Sequence, residues 1–422
     1  MTTAVLFGSF AILLILSVPI GIAIGVATLI TIIYSGSLPL GFLAKELVTS
    51  VDSFPLMAVP FFILAGEIMG KGGISQRLFG VAGALVGNKT GGLAIATIIT
   101  CMFFAAISGS GPATVAAIGG VMIPAMVQAG YDRRFATATV AAAGSIGIII
   151  PPSIPMVMFG VTASVSVGDL FISGIIPGVL IGAAMMVWAW YYSKKMGYTG
   201  LEEKTSLKKI GKAIWDAKWA LLIPVIILGG IYGGIFTPTE AAVVAVVYGL
   251  FAAMVLYREL SIKELPKVIY ESALTTATVL IIVGAANAFG KLLTLEQIPT
   301  KIANGLISIS SNPTVIILLI TLILLIVGMF MDPLAAIIIL TPILLPIVTQ
   351  VGYDPVHFGA LMIINLAVGY FTPPVGVNLF VGSSISGVPM GPLSKAVFPY
   401  VISMLIILLL VTFIPQLALL LV

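Results

Sequence analysis

The sequence predicts an all-α integral membrane protein with about ten transmembrane helices and two re-entrant helical hairpins. Hydrophobic residues make up 60% of the 422-residue chain and charged residues only 8%, against about 25% charged residues in a typical soluble domain. The mean hydropathy is +1.24, so the charges are too few to cover a soluble globule. The single cysteine excludes an internal disulfide, and the single histidine excludes a multi-histidine metal centre.

Hydrophobic runs long enough to cross about 30 Å of hydrocarbon give the predicted spans. In chain order they cover 3–17, 20–34, 54–70, 133–165, 169–193, 218–234, 238–257, 272–290, 355–385 and 392–420. Pro19 either separates the first two helices or kinks a single longer one. Amphipathic segments, predicted to lie along the membrane interfaces, cover 40–52, 75–88, 200–217, 259–270 and 293–308.

Two further apolar segments, 91–129 and 312–350, are each interrupted midway by residues that break helices. The interruptions are SGSGP at 108–112 and MDP at 331–333. Irregular backbone at membrane depth is tolerated only where protein or a water-filled cavity surrounds it. Both segments are therefore predicted to be re-entrant hairpins.

The distribution of lysine and arginine predicts the orientation. If the linker 194–218 is cytoplasmic, 16 of the 19 cations lie inside, and only Lys45, Lys291 and Lys301 lie outside. This asymmetry follows the positive-inside rule. All four tryptophans also flank that linker, as an aromatic belt at an interface would. Both termini are then predicted on the external face.

The chain carries an internal repeat at an offset of 222 residues. PAMVQAGYD at 124–132 aligns with PIVTQVGYD at 346–354, and Pro-Pro pairs at 151–152 and 373–374 keep the offset. The predicted first half, 1–217, contains scaffold helices in 3–70, hairpin 91–129, broken helix 133–165, helix 169–193 and the connecting amphipathic segment. The second, 218–422, contains scaffold helices in 218–257, helix 272–290, hairpin 312–350, broken helix 355–385 and helix 392–420.

Each predicted half has five crossings and one hairpin, so the second half should lie upside down in the membrane. Inverted repeats with broken helices at equivalent positions are typical of alternating-access secondary transporters, whose site lies where the broken helices meet. Proline lacks an N–H, so each Pro-Pro pair frees carbonyl oxygens for a monovalent cation. The restarted half-helix points its N–H groups toward an anion. Simple bending of the helices by the prolines is the alternative.

Several polar residues allow more than one interpretation. Asp332 before Pro333 has the form of a helix N-cap, yet a carboxylate at membrane depth is also a functional candidate, and both roles can hold together. Ser108 and Ser110 could cap a helix or contact a ligand. TPTE at 237–240 matches a capping box, and Glu67 lies four residues before Lys71, which favours an ion pair.

The motifs together resemble a known family. SGSGPAT at 108–114, IPPS at 150–153, TPTEAA at 237–242 and TPPVGVN at 372–378 are similar to the large membrane subunit of tripartite ATP-independent periplasmic (TRAP) transporters, along essentially the whole chain. The resemblance implies an elevator-type, sodium-driven importer of organic acids such as C4-dicarboxylates or sialic acids in the bacterial inner membrane. It implies a periplasmic substrate-binding protein and a small four-helix membrane subunit, expected here to be a separate polypeptide. No enzyme activity, nucleic-acid partner or cofactor beyond Na⁺ is expected.

The resemblance also implies site residues. The second sodium site should use oxygens around Gly328, Gly369, Thr372 and Val375. The 222 offset transfers it to a first site around Ala106, Gly147, Ile150 and Ser153, with Ser108 nearby. The organic acid should lie between the tips, near Ser108, Ser110, Met156, Asp332 and Asn378. Two alternatives stay open: a stand-alone ion-coupled organic-anion symporter without a binding protein, and a channel or non-transporting scaffold.

Overall fold

The fold is built from helices throughout the part of the chain that the computed structural model describes, residues 2–36, 38–200, 206–309 and 312–422. Within these ranges there are twenty α-helices and no strand. They are α1 (Thr2–Ile15), α2 (Ile20–Ser35), α3 (Gly41–Thr49), α4 (Ala58–Lys71), α5 (Ile74–Val86), α6 (Gly92–Ser108), α7 (Gly111–Gln128), α8 (Arg133–Gly144), α9 (Ile154–Ala163), α10 (Val167–Met196), α11 (Leu207–Tyr232), α12 (Pro238–Leu250), α13 (Leu265–Leu295), α14 (Ile298–Ile309), α15 (Pro313–Phe330), α16 (Pro333–Gln350), α17 (Pro355–Gly369), α18 (Val377–Ser386), α19 (Met390–Phe413) and α20 (Gln416–Leu419).

The helix lengths confirm a multi-pass membrane architecture. Eight of the described helices are long and apolar enough to cross a membrane, or nine if α4 and α5, bent by 67° at their junction, are counted as one span. Arms of both predicted hairpins, α7, α15 and α16, are among the eight. The broken helices and the first two helices are shorter apolar pieces, so the predicted ten spans correspond to a mixture of long helices and half-helices.

Three predicted boundaries are resolved or corrected. Pro19 separates two helices, because α1 ends at Ile15 and α2 begins at Ile20 and packs against it. The amphipathic segment 200–217 is not a separate interfacial element: α11 runs unbroken from Leu207 into the apolar span, and residues 201–205 lie outside the described ranges. The boundary drawn between 217 and 218 therefore falls inside a helix.

The same correction applies to 259–270, because α13 starts at Leu265 and continues through the apolar span to Leu295. Lysine and glutamate are good helix formers, so a drop in hydropathy does not end a helix. The capping box is confirmed: the Glu240 N–H donates to Thr237 Oγ1 (3.3 Å) and the Thr237 N–H donates to Glu240 Oε2 (2.8 Å).

The repeated sequence segments fold alike. Gly130 and Gly352 both have positive φ, +84° and +88°, in the turns between α7 and α8 and between α16 and α17. Asp132 accepts hydrogen bonds from two backbone N–H groups at the start of α8, and Asp354 does the same at α17. The bonds Pro151–Pro152 and Pro373–Pro374 are both cis. The sequence repeat is thus matched by a repeat of local structure.

The helices form two groups that each combine early and late parts of the chain. In the scaffold group, here α1–α4 with α11–α13, α2 packs on α13 and α4 packs on α12 and α13. In the hairpin group, here α6–α10 with α15–α19, α7 packs on α18, α8 on α19 and α9 on α16. Phe159 and Phe358 pack edge to face with ring centroids 6.2 Å apart. The groups meet where α13 contacts α16 and α4 contacts α6.

Candidate functional site

A cavity of about 400 Å³ lies between the two hairpin tips and the scaffold helices α4 and α13. Ser108 and Ser110 line it from the first tip, and Asp332 lines it from the second. Tyr370, from the break after α17, lies beside Asp332. The scaffold wall consists of Ile63, Gly66 and Glu67 of α4 and of Thr275, Thr278, Val279 and Ile282 of α13. The structure therefore brings both predicted tips to one cavity.

The first tip gathers several oxygen atoms. Ser108 ends α6, and its Oγ lies 3.0 Å from Thr114 Oγ1. Thr114 donates in turn to the Ser110 carbonyl oxygen (2.7 Å). Ser110 is the N-cap of α7 and accepts from the Ala113 N–H (3.5 Å). The predicted capping role of Ser110 is confirmed, and Ser108 and Thr114 add hydroxyl oxygens beside the cap.

This tip is docked onto the break between α8 and α9. The Ile154 N–H donates to the Gly109 carbonyl oxygen (3.3 Å). A methyl group added at Gly147 would lie 2.7 Å from the Ser110 carbonyl oxygen, and one added at Gly109 would lie 2.8 Å from the Pro152 carbonyl oxygen. Only glycine allows the two backbones to approach this closely.

The other predicted residues of the first ion site lie around the same break. Ser153 is buried, donates to the Ile148 carbonyl oxygen (2.6 Å) and accepts from the Met156 N–H (3.3 Å), so it caps α9. Ala106 is buried in the last turn of α6. The Ile150 side chain points to α10, where a methyl at Gly178 would meet it.

At the second tip, Asp332 is held by two hydrogen bonds. Its Oδ1 accepts from the Leu334 N–H (2.8 Å), which confirms the predicted N-cap of α16. Its Oδ2 accepts from the Tyr370 hydroxyl (3.1 Å). The carboxylate thus joins the hairpin tip to the broken helix while it faces the cavity.

In the break after α17, the backbone lies in direct contact with the backbone of α15. A methyl group added at Gly369 would lie 2.6 Å from Gly328 Cα and would overlap the Gly328 carbonyl group. The Val375 N–H donates to the Met329 carbonyl oxygen (3.3 Å), and the Thr372 hydroxyl donates to the Val368 carbonyl oxygen (2.6 Å). The structure therefore brings Gly328, Gly369 and Val375 together, with Thr372 one turn away.

Two predicted ligand residues do not line the cavity. Met156 is buried and packs into α10 at Gly174. Asn378 is buried at the start of α18, where its Nδ2 donates to the Ala141 carbonyl oxygen (3.2 Å). A methyl on Gly111 of the first hairpin would lie 3.2 Å from Asn378 Oδ1. Asn378 thus connects the second break to the first hairpin and its neighbour α8.

Sequence reasoning missed three residues at the site. Thr114 lies within the first-tip motif, four residues after Ser110, and this helical spacing could have indicated that its hydroxyl bonds to the Ser110 carbonyl oxygen. Tyr370 and Glu67 gave no local signal, because their positions depend on packing between helices distant in sequence. The contact ion pair of Lys71 is with Glu271 of α13 and not with the predicted partner Glu67, although Lys71 still attracts the Glu67 carboxylate. Among the described lining residues there are two carboxylic acids, Glu67 and Asp332, and no lysine, arginine or histidine.

Comparison with known proteins matches this architecture to one family. The family described as "Tripartite ATP-independent periplasmic transporter, DctM component" matches residues 7–417. The isethionate TRAP transporter permease protein DctMQ of Oleidesulfovibrio alaskensis is 53% identical over 97% of this chain, which spans 65% of that protein. The C4-dicarboxylate large permease DctM of Pseudomonas aeruginosa is 44% identical over 89% of this chain and 88% of its own. The sialic acid large permease SiaM of Vibrio cholerae is 40% identical over 97% of this chain and 96% of its own.

A solved structure supports the fold alone. The crystal structure of the Alcanivorax borkumensis YdaH transporter, described as having an unusual topology, aligns with a TM-score of 0.62 over 89% of both chains at 16% identity. The family match covers residues 7–417. The three relatives are named as TRAP transporter permeases, and each aligns with at least 89% of this chain. The chain therefore belongs to the DctM family, the large permease component of tripartite ATP-independent periplasmic transporters.

Proposed function

We propose that this chain couples inward sodium flow to the import of a small organic acid across the bacterial inner membrane, without ATP. The observation that carries the proposal is the cavity in which both hairpin tips meet the scaffold group. Its volume of about 400 Å³ lies within the usual range for small-molecule sites. The named relatives are permeases for isethionate, C4-dicarboxylates and sialic acid, so the substrate class is a sulfonate or carboxylate of low mass.

Sodium fits the oxygen atoms at the two tips. The first candidate site combines the Ser108 and Thr114 hydroxyls with the Ser110 carbonyl oxygen. The second combines carbonyl oxygens near the contact of Gly328 and Gly369. Hydroxyl and carbonyl oxygens suit a hard monovalent cation, and the acidic cavity needs cations nearby before an organic anion is stable there. Ala106, Gly147, Ile150 and Ser153 shape the first site, and Thr372 and Val375 shape the second.

The organic acid is proposed to contact Ser108, Ser110 and Asp332, with Asn378 and Met156 supporting the surrounding helices. We propose an elevator motion in which the hairpin group moves past the scaffold group, as inverted halves with broken helices favour. A periplasmic binding protein delivers the acid and a small membrane subunit enlarges the scaffold. Both termini lie on the periplasmic side.

The test is uptake into liposomes that contain the chain with its small subunit, with binding protein outside. We expect a sodium gradient to drive accumulation of isethionate, succinate or sialic acid, and a potassium gradient of equal size to drive none. Ser108→Ala should raise the sodium concentration for half-maximal uptake. Ser403→Ala is the matched control, because Ser403 donates only to the Pro399 carbonyl of its own helix.

Equal uptake with either cation would refute sodium coupling. Equal uptake without binding protein and small subunit would favour the stand-alone symporter. Uptake that rises linearly with substrate concentration, without saturation, would favour a channel.

A further inference from the structure

The scaffold wall of the cavity carries an acidic side chain to which the proposed mechanism gives no role. Glu67 lines the cavity from α4 and is partly buried. Lys71, one turn further along α4, is engaged with Glu271. Within the described ranges, no hydrogen bond or ion pair reaches the Glu67 carboxylate. Two nearby charges act on it: Lys71 attracts it, and Glu271, the partner of Lys71, repels it. Because Glu67 lines the cavity, its charge also acts on whatever occupies the cavity.

The neighbouring residue fixes Glu67 close to the first tip. Gly66 packs against the backbone of Ser108, so closely that a methyl group added there would lie 3.4 Å from Ser108 Cα. The tip and α4 are thus in direct contact beside the carboxylate. The contact between Gly66 and Ser108 exists because the hairpin group lies against α4 in this structure.

The positions of Glu67 on α4 and of Thr275 on α13 indicate which side of the membrane is nearer to the cavity. The Lys71–Glu271 pair lies one helical turn beyond Glu67 on α4 and one turn before Thr275 on α13. On the proposed topology Lys71 marks the cytoplasmic end of α4. The cavity therefore lies toward the cytoplasmic part of the scaffold.

We propose that Glu67 promotes release of the organic acid on the cytoplasmic side. In the arrangement described here, its carboxylate repels the acid group of a bound substrate, and the described lining residues include no basic side chain that would offset this repulsion. Because Glu67 belongs to the scaffold group, the repulsion ends when the hairpin group carries the site away from α4. Glu67 therefore lowers the affinity of the transporter for organic acid on the cytoplasmic side, and it changes the affinity for external acid by a smaller factor. This inference rests on the function proposed above.

The experiment uses the complete reconstituted transporter and whichever of isethionate, succinate and sialic acid the wild type accumulates. Two quantities are compared at fixed sodium: the internal acid concentration that halves uptake, and the external concentration that gives half-maximal uptake. Glu67→Gln should lower the internal value about tenfold and change the external value by a smaller factor. Glu67→Asp keeps the charge and should stay near the wild type. Glu296→Gln removes a carboxylate outside the cavity wall and should change neither value.

A second variant removes the same charge in a different way. Glu67→Ala replaces the carboxylate with a small apolar side chain, and it should also lower the internal value. It keeps the inference testable if Glu67→Gln does not fold. An unchanged internal value in Glu67→Gln, a raised one, or equal changes on both sides would overturn the role of Glu67. A wild type without sodium-driven uptake would instead overturn the proposed function itself, and this inference with it.

Discussion

Replacement of Asp332 separates its capping role from the role proposed for its charge in transport. Asp332→Ala removes the cap oxygen that accepts from the Leu334 N–H, which costs about 1 kcal/mol of unfolding free energy. It also leaves the Tyr370 hydroxyl, on a residue only 6% exposed, without its carboxylate partner, which costs about 2 kcal/mol. The sum of about 3 kcal/mol corresponds to roughly a hundredfold change in the folding equilibrium.

Asp332→Asn tests the charge alone, because asparagine is as good an N-cap as aspartate and its side chain can still hydrogen-bond to Tyr370. We expect it to lose under about 1 kcal/mol of stability but to transport the acid at least about tenfold more slowly. Stability is measured by unfolding in mixed detergent micelles, and transport is measured by sodium-driven uptake. Wild-type transport in Asp332→Ala would reduce Asp332 to a cap, and equal destabilisation of both variants would refute the capping argument.

Three further predictions concern stability. Gly369→Ala should destabilise the protein by about 3 kcal/mol, because the backbone of α15 or of the break must move to make room for the methyl group. Gly290→Ala is the control: its added methyl would meet Pro342 at 3.5 Å and should change stability by less than about 1 kcal/mol. Equal unfolding free energies of the two variants would contradict the backbone contact at Gly369. The buried Glu46 carboxylate lies 2.7 Å from Lys291 Nζ, and Lys291→Ala leaves this carboxylate without its ion pair. Adding Glu46→Leu to Lys291→Ala should therefore restore stability. A double variant that is less stable than Lys291→Ala would contradict this reasoning. Burial raises the pKa of Tyr131, in the turn between α7 and α8, to about 12, above its unfolded value of about 10, so the folded state should lose stability as pH rises from about 10 to 12. Tyr131→Phe should flatten that loss, and tyrosinate absorbance that develops fully near pH 10 would refute the shift.

The sequence predicted best where the signal is local. Asp332 caps α16, and Thr237 forms the capping box of α12 with Glu240, as predicted, because these side chains bond to backbone groups within one turn. The breaks at both Pro-Pro pairs and the turns at Gly130 and Gly352 follow from residues that restrict or free the backbone.

The sequence predicted least where the outcome depends on tertiary packing. The helix α13 starts at Leu265, seven residues before the predicted span 272–290, because hydropathy marks the membrane boundary of a helix and not its hydrogen-bonded end. Met156 faces α10 and not the cavity, since its direction depends on the space left by Gly174. Lys71 pairs with a residue 200 positions away, which helical spacing along α4 does not reveal.

The length of α13 makes the protein sensitive to the lipid around it. The helix has 31 residues and is about 46 Å long, against a hydrocarbon layer of about 30 Å. Even without its charged first two turns, the remaining length of about 36 Å requires a tilt of about 34°, or else a local thickening of the bilayer. Since α13 forms one wall of the cavity, acyl-chain length should alter the rate of the elevator motion proposed above.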